Sequence, residues 1–393
     1  MNVSPLPFLD FSSTGFSTRS REVRAARATS WCAKTPFGYA VLRHREAGLL
    51  LRDRRLRQGS HAWPDIIGIQ GPFAEFWKRS IISLEGDAHR LLRKIAQGAL
   101  SDSFVLSMHD DFCAIADELA DDLRSKPDFD FVAGFTEPFA GRAIAVLLDQ
   151  PKSEAADIAR DASALGLAMG PDAVQHEAIT NAACVRLSQQ AERLLKTPPV
   201  AGYVPRLLSQ AKELGLDDSL ALVDLIVISI FGGVDTTRAQ LAFAIHLFAE
   251  HKDQWQWLRN HPDHVRAALD EVIRTRPTTT WSTREALEDF DFGGVRFVTG
   301  DTLHFLVHAT GTDPLIGSFE GFDIRADRKI HFGFGGGAHH CLGHFMARTD
   351  MTAALSVLLR RWRSINLVGT PEFLPDSGNT SPRTLRIAPD WEN

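Results

Sequence analysis

Tyrosine is nearly absent from this chain: there are two in 393 residues, beside 25 Phe and 8 Trp. Its aromatic surface therefore carries few hydroxyls, which suits an apolar interior or pocket. Cysteine is scarce as well. Cys32, Cys113, Cys184 and Cys341 are widely spaced in a long chain without secretory features, which argues against a disulfide framework and leaves each a buried thiol by default. The start, MNVSPLPFLDF, has an early acid and no basic segment leading into an apolar run, so neither signal peptide nor anchor is expected and the protein should stay cytoplasmic. Long hydrophobic runs are missing too: residues 220–234 are interrupted by Asp224 and fall short of the roughly 20 residues that span a bilayer. No membrane is expected as a partner. The net charge of −6 comes from mixed signs, which argues against nucleic acid while leaving room for a local basic patch. No repeat, low-complexity tract or long Pro/Gly/Ser linker divides the chain. One domain, residues 1–393, is the simpler reading, with the polar residues up to about 30 expected to lie loosely on the surface.

What is present is helical periodicity, over 88–99, 104–125, 153–165, 175–195, 218–248, 264–274 and 342–362. Strand-like segments are short: 39–42, then 292–297 and 302–305 around the turn residues Gly293, Gly294 and Gly300. The class is mainly α with small β-sheets. The Asp217-Asp218 pair caps a predicted helix of about 31 residues, roughly 47 Å long, enough to cross the whole domain.

The strongest local signal is Phe334-Gly335-Gly336-Gly337-Ala338-His339-His340-Cys341-Leu342-Gly343, in which four glycines surround one cysteine ahead of a helical pattern. Glycine lets the backbone approach a flat ligand and take positive φ. A helix that begins just after the cysteine aims N–H groups at its sulfur and favours a thiolate, so Cys341 is expected to be an anion. Three readings stand on these residues: a heme thiolate, whose electron donation favours O–O cleavage; a buried structural cysteine; and a zinc site of His339, His340, Cys341 and His344, which lacks the usual paired ligand spacing.

Inside the predicted long helix lies Gly232-Gly233-Val234-Asp235-Thr236-Thr237. Two glycines in a helix interior cost about 1 kcal/mol each relative to alanine. Either Asp235 and Thr236 help open the hydrogen-bond ladder into a groove for dioxygen and water, or a close helix crossing needs small residues. Glu271 and Arg274, three apart, are in isolation a surface ion pair. His89 and Arg93 share a helical face and are either a solvated basic stripe or paired donors for carboxylates.

Together these segments resemble the cytochromes P-450 over about residues 39–387. Phe seven before, Gly four before, His two before and Gly two after Cys341 match the family's heme-binding loop. The resemblance implies a triangular prism of helices with heme b between the long central helix and the cysteine-loop helix. It makes Cys341 the axial ligand of the iron, puts Phe334 near the sulfur, lets Gly335 and Gly343 shape the loop, and sends His89, Arg93, Arg284 and His339 to the heme propionates. Asp235 and Thr236 become the acid and alcohol that relay protons to oxygen. Glu271 and Arg274 become a buried brace, usually joined by a further arginine; the register puts Ala326 there, leaving Arg325 or Arg328 as substitutes.

By the same analogy the substrate pocket takes Ile66, Ile67, Ile69, Phe73, Phe76 and Trp77 from one segment and Leu167 and Met169 from a second. The long helix adds Ile230, Phe231 and Gly232; Thr280, Trp281 and Asn379 complete it. Lys78 or Arg79 is a candidate for a substrate carboxylate, although solvent exposure is the commoner outcome. The implied activity is a soluble monooxygenase that activates O2 and inserts one atom into a small, largely apolar organic substrate. No flavin or nicotinamide fingerprint follows the cysteine helix, and the three other cysteines cannot supply four thiolates to an iron–sulfur cluster. Electrons are therefore expected from an iron–sulfur ferredoxin with its NAD(P)H-dependent reductase, docking at Arg90 and Lys94 on a monomer. The alternatives are a peroxide-driven peroxygenase, whose known forms typically lose the Asp/Thr pair, and a non-catalytic heme sensor or carrier.

Overall fold

The computed structural model describes residues 5–13, 15–170, 172–327, 330–376 and 378–392. Its axis is the helix Ser219–Glu250, whose first turn is capped by the Asp218 carboxylate accepting from the amides of Leu220 and Ala221. A helix that is apolar all round belongs in a core. This one is long and apolar enough to cross a bilayer, yet Leu225, Ile226, Val227, Ile230 and most of its C-terminal half are buried by other helices. The helix His344–Arg361, which follows the cysteine loop, packs on His109–Leu123, on Val265–Thr275 and on the long helix, so the loop is fixed from behind.

A five-stranded sheet flanks this core, in the order Cys32–Thr35, Gly38–Val41, Thr302–Leu306, Trp281–Ala286, Leu56–Gln58. Gly38–Val41 and Thr302–Leu306 run parallel, and the other neighbours are antiparallel. The predicted strand 292–297 is instead a hairpin, Phe290–Phe292 and Val295–Phe297. Gly293 and Gly294 both have positive φ, the backbone that a two-residue hairpin turn demands.

The expectation of a loose N-terminal segment does not hold for residues 15–30, while residues 1–4 and 14 lie outside the described residues. Ser20 caps the helix Arg21–Thr29, Val23 and Ala26 are buried, and Arg27 reaches through the core to Thr312 Oγ1 at 2.8 Å and Glu320 at 3.1 Å. Asp376 accepts from the hydroxyls of Ser17 and Thr18 and from the Thr18 amide. Polar residues here are tethers.

Glu271 and Arg274 are no surface pair. Their side chains are 3% and 1% exposed, and two parallel bonds of 2.6 and 2.7 Å join them. Arg274 also donates to the carbonyls of Gly311, Phe319 and Gly321 and to Ser318 Oγ, so it pins the chain between the sheet and the cysteine loop. Arg325 does not join them: it pairs with Asp323 and Asp253 at the surface. Ala326 carries no charge, and Arg328 lies outside the described residues.

Two predictions follow from this packing. Arg274→Met removes the doubly bonded partner of a buried carboxylate and should cost about 3–5 kcal/mol, read as a fall in the urea midpoint. His304, buried in the sheet, has its pKa pushed down to about 4 by burial, against a hydrogen bond to the Tyr39 carbonyl. The unfolded chain then binds a proton that the folded chain refuses, so stability is lost as pH falls from about 6.5 to about 4. His304→Leu should flatten that slope by on the order of 1–3 kcal/mol in urea titrations at each pH.

Candidate active site

The cysteine loop closes on itself. The Cys341 amide donates to the Phe334 carbonyl at 2.7 Å, and the Gly335 amide donates to Phe332 at 2.8 Å. Gly337 has φ +68°, and a Cβ there would lie 2.1 Å from the Leu51 carbonyl, so the loop can sit against Leu51 only as glycine. Gly335 has the same φ. Gly343, at φ −86° with no atom within 4 Å of its missing Cβ, leaves room and relieves no strain. The Arg348 guanidinium lies 4.3 Å over the Phe334 ring.

Cys341 stands ahead of the helix His344–Arg361, with burial pushing its thiol up and the Gly343 amide, Arg93 and Arg348 pulling it down. Burial prevails. The charge of a bound metal ion is the further contribution that makes such a thiol the anion the sequence leads one to expect. The zinc reading gains nothing: His339 is engaged by Glu85, and among the described residues no group of three His, Cys, Asp or Glu is arranged to hold a metal ion.

Cations ring the loop. Arg284, on the strand Trp281–Ala286, is buried, and among the described residues it donates only to neutral oxygens: Gln58 Oε1, the Thr283 carbonyl and the Gly336 carbonyl. Burial pushes its pKa down to about 10 despite the nearby Glu85. Arg93 donates to the His340 carbonyl at 2.7 Å. His89 is buried 4.1 Å, ring to ring, from His339, and its pKa is pushed down to about 4, first by burial and then by His339. It is neutral at pH 7. His339 has its own acid, Glu85 at 3.1 Å. Burial would raise the Glu85 carboxyl, but hydrogen bonds from His339 and from the Gln58 amide outweigh it and bring it to about 2.

Arg93 and Arg284 have no carboxylate partner among the described residues and converge on the loop that carries the sulfur. That donor set fits a flat group bearing carboxylates and a metal.

The long helix supplies the opposite wall. It runs as unbroken α-helix through Gly232 and Gly233, so no ladder opens; the Thr236 hydroxyl bonds back to the Gly232 carbonyl at 2.7 Å instead. The two glycines answer different needs. A Cβ on Gly233 would meet Ile144 Cδ1 at 2.5 Å, the close crossing, whereas Gly232 is exposed in mid-helix with nothing within 4 Å of its missing Cβ. Gly232 and Thr236, one turn apart, mark an open face. Ile228, four before Gly232 and partly exposed, lies on that face too; i, i+4 spacing from Thr236 back through Gly232 is the signal that would have found it.

Several pocket residues lie elsewhere. Ile230, two positions from Gly232, is turned to the core and fully buried. Trp281 and Arg284 are an odd number apart on one strand and so point to opposite faces: Trp281 stacks on Phe11 at 5.4 Å and meets His304 edge-on. Ile66 is 64% exposed, on the short helix Trp63–Ile67 that stops at Gly68. Phe73 and Phe76 are core residues against each other, with Phe73 also against Trp77. Trp77 bonds the Ser60 carbonyl and meets Phe231 edge-on. Ile69 is buried, and Ile67, Leu167 and Met169 remain partly exposed. Thr280 fastens the Gly378 carbonyl with both its amide and its hydroxyl. Lys78 is paired with Asp65 and Arg79 with Asp224, so neither charge is free for a substrate. Arg90, on the outer face, is paired with Asp87, and Lys94 is exposed.

The sequence profile described as cytochrome P-450 matches residues 185–379. Luteothin monooxygenase of Streptomyces thioluteus is 32% identical over 398 aligned positions, covering 97% of this chain and 96% of that protein. Nocardicin C N-oxygenase of Nocardia uniformis subsp. tsuyamanensis is 25% identical and covers 87% of each chain. Among solved structures, CalO2 superposes with a TM-score of 0.85 at 24% identity over 96% of this chain and 99% of its own.

Arg284→Leu removes a buried donor that bonds no carboxylate among the described residues, so the purified protein should carry roughly threefold less heme per chain than the parent. The ratio of heme to protein absorbance measures this, and an unchanged ratio would make Arg284 a strand-packing residue only.

Proposed function

The chain belongs to the cytochrome P-450 family, the heme-thiolate monooxygenases, and from that premise we propose that Cys341 is its thiolate ligand and that Asp235 and Thr236 supply protons to oxygen. The enzyme is an oxidoreductase that carries heme b on a cysteine thiolate. The observation that carries the assignment of residues is the meeting of three features. These are the Cys341 sulfur at a helix start, arginines beside it that bond no carboxylate among the described residues, and an open mid-helix face at Gly232.

Heme bound there supplies reductive activation of dioxygen, one atom going into substrate and the other leaving as water. Arg93 and Arg284 would hold the propionates by charge-assisted bonds, and His89 would add a neutral N–H. Phe334, pinned under Arg348, would shield the sulfur from water. Gly232 leaves the helix face open where the group would lie, and the Thr236 hydroxyl, bonded to the Gly232 carbonyl, would stand at the edge of that opening. Asp235, next along the helix, would feed it protons through water.

The substrate we infer is a small, largely apolar organic molecule, bounded by Ile228, Phe231, Ile67 and Met169. Electrons come from an iron–sulfur ferredoxin and its NAD(P)H-dependent reductase, meeting the exposed Arg90 and Lys94 face. The chain works as one domain, as a monomer, in the cytoplasm; burial of its apolar long helix supports a soluble protein.

Thr236→Ala tests the assignment. With a substrate found by its shift of the heme spectrum from low to high spin, product formed per NADH should fall roughly 10-fold and hydrogen peroxide should appear in its place. Unchanged yield per NADH would remove Thr236 from proton delivery.

A further inference from the structure

Asp235 is nearly buried, and each of its carboxylate oxygens has a partner of its own. Oδ1 accepts from Arg238 Nη2 at 2.9 Å and Oδ2 from Asn379 Nδ2 at 3.4 Å. Gly166 closes a third side: a Cβ there would stand 3.0 Å from Oδ1. Asn379 is itself held, because Thr279 Oγ1 donates to its carbonyl oxygen at 3.2 Å and so leaves its amide nitrogen facing Asp235. The neighbouring Gly378 carbonyl is fastened by the Thr280 amide at 2.7 Å.

Arg238 gains little else from its position. Its side chain is 14% exposed and that of Asp235 10%, its Nε is buried without a partner, and Asp235 is its one hydrogen-bond partner among the described residues. An exposed pair at this spacing is a minor helix stabiliser. Drawing a guanidinium out of water with donors unanswered is unfavourable, and an apolar residue of similar size would suit the same place. Stability alone does not account for an arginine here. Nor does Thr236 orient the acid, since its hydroxyl is bonded to Gly232.

We propose that Arg238 and Asn379 are positioning residues for Asp235, one to each carboxylate oxygen, fixing the direction from which the acid hands protons towards Thr236. This rests on the reading of Asp235 as a proton donor. Arg238, the shorter and charged contact, sets the carboxylate's place on the helix, and Asn379 sets its rotation from the loop opposite.

The test compares Asp235→Asn, Arg238→Met, Arg238→Lys and Asn379→Ala in the heme-loaded enzyme with its redox partners. In Arg238→Met, product per NADH should fall roughly fivefold and in Asn379→Ala roughly twofold, with Arg238→Lys regaining at least about half of the loss. The solvent deuterium isotope effect should rise with each loss, while the substrate dissociation constant from the spin shift stays at the parent value. Independently of turnover, the infrared carboxylate band that Asp235→Asn removes should shift in Arg238→Met and return in Arg238→Lys. If Asp235→Asn lowers product per NADH but Arg238→Met and Asn379→Ala keep parent values and an unshifted band, the positioning role is wrong and the proton reading stands. If Asp235→Asn itself behaves as the parent, both are wrong. Should Arg238→Met fail to fold, Asn379→Ala decides, and parent behaviour there overturns the proposal.

Discussion

A thiol in a weakly solvated loop is a poor anion on its own, and much of this molecule is arranged around that constraint. The Cys341 thiol is raised by burial, and the Gly343 amide with Arg93 and Arg348 offsets only part of the rise. The same surroundings that resist a free thiolate shield one bonded to a metal, because a cation against the sulfur reverses the balance. The glycines serve this burial: Gly337 lets the loop lie on the Leu51 carbonyl, closer than any side chain permits. Behind the loop, Glu271 and Arg274 fix the chain at Gly311, Phe319 and Gly321 with a doubly bonded buried pair. A brace of that kind holds its geometry because breaking a buried, doubly bonded ion pair is costly.

The long helix meets a second constraint, that of offering space without losing its own hydrogen bonds. Gly233 gives up its side chain to the crossing at Ile144 and Gly232 gives up its own to the open face, so the helix stays regular while that face remains open. Thr236 lies on that face, whereas Asp235, one position earlier, is turned some 100° around the helix into contact with Arg238, Asn379 and Gly166. Acid and alcohol are adjacent in sequence and face different surroundings, and the proposed relay would run between them through water.

What could be read from the sequence was whatever the backbone or a charge demanded locally. The glycines around Cys341 and the cap at Asp218 state their needs within a few residues, the burial of Glu271 and Arg274 came only from the resemblance, and the mainly α fold with small sheets follows from periodicity and resemblance. Pocket walls were harder, because they depend on which face of an element turns inward. Strand alternation puts Trp281 opposite Arg284, and helical rotation puts Ile230 opposite Gly232, so counting from the motif residue would have excluded both and included Ile228. The N-terminal segment misled for another reason. Its polarity suggested solvent, but Arg27 and the hydroxyls of Ser17 and Thr18 spend that polarity on Thr312, Glu320 and Asp376, partners hundreds of residues away. No local pattern announces such contacts.

The central claim is that Cys341 is the sulfur that holds the iron. Iron-edge X-ray absorption on the purified ferric protein tests it without a substrate or a redox partner. One sulfur scatterer in the iron's first coordination shell, replaced by nitrogen or oxygen in Cys341→His, is the result predicted here. A shell of nitrogen and oxygen alone in the parent protein, or a sulfur that persists in Cys341→His, would contradict it.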